Sequence, residues 1–317
     1  MEIDIQYLLF LQNLRLMTGG IFDELFNAIS KFAVDIMILL PYIVYWSVDK
    51  SWGYRYMFTT WIAEVVNGLI KLTVCAYRPW IRSPLIEPAG DSKVAATGYS
   101  FPSGHTVMAT AEYGTTIAYQ KNRRKWLAVL CGIMIALTAF SRNFLGVHTP
   151  QDVIVGFLEA LAVILIVGKA FKALEGKEDL IDKLTYLGIA LHIVAVIYVV
   201  FKKYPLDYVN GVLLVDPIKM QKDMFGGCGG LLALLMGSYI DRHFLHYEIN
   251  FNSKYLPILT ALGALFIFTW RWLIMSATLI PAFGILWGSY LGHFVIIFFA
   301  VVIWPMVIRK FDESNKE

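Results

Sequence analysis

The chain has 317 residues, 58% of them hydrophobic, 15% aromatic and only 16% charged, with a formal net charge of +3. A mean hydropathy of +0.61 excludes an ordinary soluble globular protein and points to a bilayer. The small positive balance, scattered in short clusters between apolar runs, excludes a nucleic-acid partner and leaves membrane lipids as the surroundings.

Residues 3–18 are too short and too interrupted to span a hydrocarbon core of about 30 Å, and they lack the basic start and cleavage site of a signal peptide. They read as an interfacial helix. Apolar runs of roughly 20 residues then predict spans near 28–48, 54–75, 103–120, 126–142, 151–173, 183–202, 223–240, 256–275 and 284–307, about nine in all. The expected fold is an all-α polytopic membrane helical bundle. Its expected parts are an N-terminal interfacial segment (1–27), a core holding the polar motifs (28–175) and a C-terminal transmembrane extension (176–317).

The loops carry their basic residues unevenly. Lys50 and Arg55, then Lys121, Arg123, Arg124 and Lys125, then Lys169, Lys172, Lys177 and Lys183, then Arg242 and Lys254, and finally Arg309 and Lys310 collect on one side. That side is expected to be cytoplasmic. The polar motifs then open away from the cytoplasm, as in a plasma-membrane protein with an external site, although Lys202, Lys203, Lys219 and Lys222 weaken the bias.

Three segments at the edges of spans carry the chemistry. In the first, 71–79 (KLTVCAYRP), Lys71 ends a span and Arg78 lies just beyond it, with Pro79 closing the helix. Either cation alone would read as a snorkelling anchor. In the second, 102–105 (PSGH), Pro102 can open a helix whose first-turn N–H groups, at Ser103 and Gly104, suit a phosphate, and His105 follows. Ser103 paired with His105 as a nucleophile is a rival reading, but no glycine elbow precedes the serine.

The third segment, 141–152 (SRNFLGVHTPQD), is the most informative. Arg142 offers a planar fork of donors for phosphate oxygens. Asp152 falls four residues after His148 on one helix side, where a carboxylate can hold one imidazole nitrogen and leave the other as a nucleophile. On its own, such a pair reads equally as capping plus a surface ion pair.

Taken together, Lys71 with Arg78-Pro79, then Pro102-Ser103-Gly104-His105, then Ser141-Arg142 with His148 and Asp152, resemble the type 2 phosphatidic acid phosphatase superfamily over roughly residues 28–173. The resemblance implies a phosphatase acting without metal or other cofactor on a phosphorylated lipid, monoester or diphosphate. His148 would be the nucleophile, Asp152 its orienting carboxylate and His105 the general acid and base. Lys71, Arg78, Ser103, Gly104 and Arg142 would bind the phosphate. The long C-terminal half is similar to that of the sphingosine-1-phosphate phosphatases and glucose-6-phosphatases, and Asp152 fits the lipid-directed branch better. A sugar-phosphate phosphatase, or a non-catalytic lipid-binding or transport protein, are the alternatives.

Other polar features carry less. Glu64, Asn67 and Lys71 share a helix face and Glu112 lies two turns below His105, an arrangement better suited to fastening the bundle than to catalysis. Cys75, Cys131 and Cys228 lack metal-ligand spacing, and the glycines at 226–230 suit close helix packing. Trp80, Tyr99 and Phe101, in the loop joining the first two motifs, are candidate interface aromatics.

Overall fold

The computed structural model describes residues 2–96 and 98–314. Helices form along the apolar runs: α1 (Ile3–Met17), α2 (Asp23–Asp35), α3 (Leu40–Ser47), α4 (Lys50–Val74), α5 (Pro79–Arg82), α6 (Ser92–Ala95), α7 (Gly104–Gln120), α8 (Lys125–Phe144), α9 (Pro150–Leu174), α10 (Glu178–Phe201), α11 (Pro217–Ile240), α12 (Leu256–Thr269), α13 (Ile280–Phe298) and α14 (Trp304–Ser314). One antiparallel hairpin, β1 (Tyr208–Val209) with β2 (Val212–Leu213), interrupts them. Its turn places Asn210 and Gly211 both at positive φ, which is what Asn-Gly supplies at a two-residue hairpin loop.

Among the described residues, seven helical stretches are long and apolar enough to cross a membrane: Asp23–Ser47, Lys50–Arg82, Lys125–Phe144, Pro150–Leu174, Glu178–Phe201, Pro217–Leu245 and Met275–Ser314. The chain is an all-α multi-pass membrane protein. The two further expected spans fall on shorter helices. One is α7, with 17 residues that include Thr106, Thr110, Glu112, Thr115 and Thr116 on buried positions. The other is α12, 14 residues long, which runs on into a π-helical stretch, Trp270–Leu279. The first span is broken at Met37–Leu39, where Pro41, in the first turn of α3, cannot continue a helix from α2.

The chain divides into two compact units. The first comprises the N-terminal residues up to Ile38, Val66–Leu165 and Lys202–Gln221, and it contains all three motif segments. In it α2 packs against α7 and α8, and α1 against α8. Ala33, Ala109, Tyr113, Cys131 and Ile135 form the centre of that packing. Gly156 lets α9 close on the start of α7, since a Cβ there would stand 2.9 Å from the Ser103 carbonyl oxygen.

The second unit comprises Leu39–Val65, Ile166–Phe201 and the chain from Lys222 onward. Its core is aromatic and aliphatic, with Tyr45, Trp46, Met57, Leu234, Ala300 and Val301 almost wholly buried. The glycine run on α11 does pack closely: a Cβ on Gly229 would lie 2.1 Å from the Tyr290 carbonyl oxygen, and one on Gly230 2.4 Å from the Trp61 ring. Buried Asp241 is paired with Lys50 at 2.9 Å and accepts from Tyr54 Oη at 2.8 Å.

Candidate active site

Five helix ends of the first unit deliver the motif residues. Lys71 sits in the last turn of α4, after which Cys75 adopts a left-handed φ of 53° and turns the chain. Arg78, in extended conformation, caps α5, with Pro79 at its first position. Ser103 caps α7, its Oγ accepting from Thr106 Oγ1 at 3.0 Å. Arg142 ends α8, and Gly146, at a φ of 73° that a β-carbon would disfavour, reverses the chain into Pro150 at the head of α9. The backbone N–H groups of Val147 and His148 both donate to the Arg142 carbonyl, at 3.1 and 3.2 Å, so the turn that carries His148 is tied to the residue that carries Arg142.

His148 and Asp152 are both buried. Asp152 Oδ2 lies 3.5 Å from His148 Nδ1, long for a hydrogen bond, and accepts from Ser100 Oγ at 2.6 Å and the Thr149 backbone N–H at 2.7 Å. The carboxylate is thus fixed beside one imidazole nitrogen. Arg78 Nη1 lies against the same ring, 2.8 Å from His148 Nε2 and 3.5 Å from Nδ1, and donates to the Val147 carbonyl at 3.0 Å, while Arg78 Nε donates to the Gly98 carbonyl at 3.2 Å. Burial, then the neighbouring Arg78 guanidinium, push the His148 imidazole well below its ordinary range, and Asp152 opposes both. Burial and Arg78 thus both favour the neutral imidazole, the form that carries a lone pair.

The remaining motif residues surround this pair. Lys71 Nζ donates to the Pro102 carbonyl, and a Cβ on Gly104 would lie 3.9 Å from Lys71 Cε and 3.5 Å from Asn67 Oδ1. Arg142 Nη1 donates to Ser30 Oγ at 2.7 Å, and its buried Nε has no hydrogen-bond partner among the described residues. An orphaned guanidinium donor is costly to bury, by about 1–3 kcal/mol, and an anion oxygen would satisfy it. His105 is partly buried and within electrostatic reach of Arg142, His148, Arg78 and Lys71. Three cations and two imidazoles around one place suit a substrate with several anionic oxygens.

Two details differ from the sequence reading. The Ser103 backbone N–H donates to the Asp152 carbonyl at 2.9 Å, so it is engaged between α7 and α9, leaving the Ser103 hydroxyl and the Gly104 N–H as donors of that turn. Tyr99 is fully buried, so it is no interface aromatic; Trp80, partly buried, packs on the α1 and loop cores and under Arg78, 5.8 Å from its ring centre. The structure also adds residues. Ser100 holds Asp152, Ser30 holds Arg142, and Asn143 Nδ2 donates to the His148 carbonyl at 2.9 Å. One turn below Lys71, Asn67 Nδ2 donates to Glu159 Oε2 at 3.2 Å, so Asn67 fastens α4 to α9.

Comparison with known proteins places these residues in company. The family model of the PAP2 superfamily matches residues 52–174. An undecaprenyl-diphosphatase of Sulfolobus acidocaldarius is 32% identical over 31% of this chain and 44% of its own length. Phosphatidylglycerophosphatase B of Bacillus subtilis is 29% identical over 41% of this chain and 66% of its own. The undecaprenyl-diphosphatase BcrC of Bacillus subtilis is 31% identical over 48% of this chain and 75% of its own. The chain thus spans less than two thirds of the first two of these relatives. No solved structure matches it.

Proposed function

The chain belongs to the PAP2 superfamily, and from that premise we propose that it is a membrane phosphatase hydrolysing a lipid phosphate monoester or diphosphate through a phosphohistidine on His148. The observation that carries the reading is the cluster of Asp152, His148 and Arg78. A fixed carboxylate stands beside Nδ1 and a guanidinium lies against the ring, nearer Nε2, with a second, partly unsatisfied guanidinium at Arg142.

The chemistry runs in two displacements. The His148 Nε2 lone pair attacks phosphorus as the bond to the leaving oxygen breaks, and His105 gives that oxygen its proton. Asp152 stabilises the positive charge that forms on the ring, with the Nδ1 proton directed to its Oδ2. Water then attacks the phosphohistidine, His105 takes the proton it loses, and the P–N bond breaks to release phosphate. Arg78 moves its contact from Nε2 to the phosphate oxygens. Together with Lys71, Arg142, the Ser103 hydroxyl and the Gly104 N–H, it stabilises the charge of both transition states. The names of the relatives make a polyprenyl diphosphate the first substrate to test and phosphatidylglycerophosphate the second. The loop charges favour an orientation with the site facing away from the cytoplasm, which we place at the outer face of the plasma membrane.

The test is phosphate release by the purified protein from a panel of polyprenyl diphosphates, phosphatidylglycerophosphate, phosphatidate, sphingoid phosphates and glucose 6-phosphate. Chelator present throughout should not reduce it, because the charge stabilisation is assigned to Lys71, Arg78 and Arg142. Vanadate, which imitates pentacoordinate phosphorus, should inhibit. Release from none of the lipids would overturn the reading.

A further inference from the structure

The N-terminal helix lies outside the part of the chain that matches the family, yet it is bound to the loop that leaves Arg78. Two chemically different sets of contacts make the attachment. On the apolar side Ile5 and Leu8 pack with Ile86 and Trp80. On the polar side Gln12 reads the loop backbone twice, donating from Nε2 to the Leu85 carbonyl at 3.1 Å and accepting the Glu87 N–H on Oε1 at 2.8 Å. Arg15, itself buried, donates from Nη2 to the Glu87 carbonyl at 2.6 Å. Arg82, at the end of the short helix that Arg78 caps, is paired with Glu2 and, at 2.8 Å, with Asp4.

What the loop does on its far side gives these contacts meaning. The Ala89 N–H donates to the Leu145 carbonyl at 3.0 Å, in the turn that carries His148. Glu87 O, the atom that Arg15 holds, would lie 3.6 Å from a Cβ on Gly146, and Pro88 Cα 3.5 Å from it. A continuous chain of contacts therefore runs from Gln12 and Arg15 through Glu87 to Ala89, into Leu145–Gly146 and so to Val147 and His148, against which Arg78 is bonded.

We infer that α1 is a positioning clamp for the active site, in which Gln12 and Arg15 hold the 83–91 loop against the His148 turn and thereby set the distance between Arg78 and His148. The inference rests on the reading of that site as phosphate-binding. Neither residue touches the reacting atoms; both act through the loop backbone. Hydrogen bonds to main-chain atoms fix the loop whatever its side chains are, and loss of register by about 1 Å at a catalytic pair lowers rate by on the order of 10²-fold.

The experiment compares the intact protein with Gln12→Ala, Arg15→Ala and Arg15→Lys, measuring vanadate affinity by thermal shift alongside kcat and KM on the best lipid substrate. The clamp predicts vanadate binding weakened by about tenfold or more in both alanine variants. It further predicts a fall in kcat larger than the rise in KM, and partial recovery in Arg15→Lys, which keeps one donor for Glu87 O. If Arg15→Ala fails to fold, Gln12→Ala, at a half-buried position, decides. Vanadate affinity and kcat per folded molecule equal to those of the parent, with only the melting temperature lowered, would make α1 a merely structural helix and overturn the inference. A parent protein that binds vanadate but releases no phosphate from any lipid would sink the functional reading alone, since vanadate affinity still reports the clamp. A parent that does neither would sink both.

Discussion

Arg78 Nη1 lies 2.8 Å from His148 Nε2 and 3.5 Å from Nδ1, so a guanidinium lies against the imidazole assigned to attack phosphorus. The contact disfavours the imidazolium and puts a donor suited to phosphate oxygens beside the proposed nucleophile. It also separates the two neighbours of His148 by sign, because Arg78 disfavours the imidazolium and Asp152 favours it.

That opposition predicts two displacements of the pH profile. A nucleophilic imidazole must be unprotonated, so the acid limb of kcat/KM follows the His148 equilibrium and in the parent protein should lie below the ordinary histidine range. Arg78→Ala removes an influence that lowers it and should move the limb to higher pH. Asp152→Asn removes an influence that raises it and should move the limb to lower pH, with kcat reduced as well. Profiles of both variants displaced in the same direction would contradict the assignment.

Loss of the two histidines should be distinguishable. His148→Ala is expected to lower turnover by about 10⁴-fold or more and to abolish trapping of label from substrate. His105→Ala should slow both formation and decay of the phosphoenzyme, by about 10²–10⁴-fold. Rapid-quench measurement of acid-labile, base-stable label separates the two, and near-normal turnover in His148→Ala would remove it from the mechanism.

The placement of the candidate site residues at helix ends is the most legible part of the chain. His148 and Asp152 stand four apart across a Thr-Pro helix start, and Lys71 and Arg78 flank a span end, so local geometry alone brings each to a helix terminus. The contacts that were not legible are tertiary. Ser30 reaches Arg142 from 112 residues away, and no local pattern marks it. The Ser103 N–H, free by the logic of a helix first turn, is taken by the carbonyl of Asp152 because Gly156 lets α9 approach α7. Hydropathy reads α7 as a span, whereas the helix is 17 residues long and holds Thr106, Thr110, Glu112, Thr115 and Thr116 at buried positions that periodicity alone does not distinguish from lipid-facing ones. The segment 202–221 folds with the first unit through long-range contacts, among them the Tyr77 hydroxyl donating to Asp207, that no periodicity encodes.

Sidedness can be tested at two positions. The helices α7 and α8 are joined at residues 121–124, at the end of each that is remote from the motif residues, roughly 25 Å along a 17-residue helix. Ser92 is buried, so the exposed neighbour Asp91 is the better site for a reporter on the motif side. A cysteine at Asp91 should react with an impermeant thiol reagent in intact cells, and one at Asn122 should react only after permeabilisation, both in a background lacking Cys75, Cys131 and Cys228. The reverse pattern would put the site on the cytoplasmic side.

Substrate class should declare itself through the tail. A lipid phosphate keeps its chain in the hydrocarbon and presents only the headgroup to the helix ends where His148, Arg78 and Arg142 meet, so each buried methylene adds to binding, by about 0.8 kcal/mol when fully buried. Part of that energy can be used in the transition state, which makes kcat/KM rise with chain length at a constant surface concentration of detergent. A sugar phosphate gains nothing from a tail and needs hydroxyl-binding side chains around the phosphate site. The polar side chains that structure places there instead serve the protein itself: Ser100 holds Asp152, Ser30 holds Arg142, Asn143 holds the His148 carbonyl and Asn67 holds Glu159. A chain-length series of polyprenyl diphosphates and monophosphates, run beside glucose 6-phosphate, should therefore show kcat/KM increasing with the isoprenoid tail and little release from the sugar. Efficient hydrolysis of glucose 6-phosphate with no dependence on tail length would replace the lipid reading by the sugar-phosphate alternative while leaving the phosphohistidine chemistry in place.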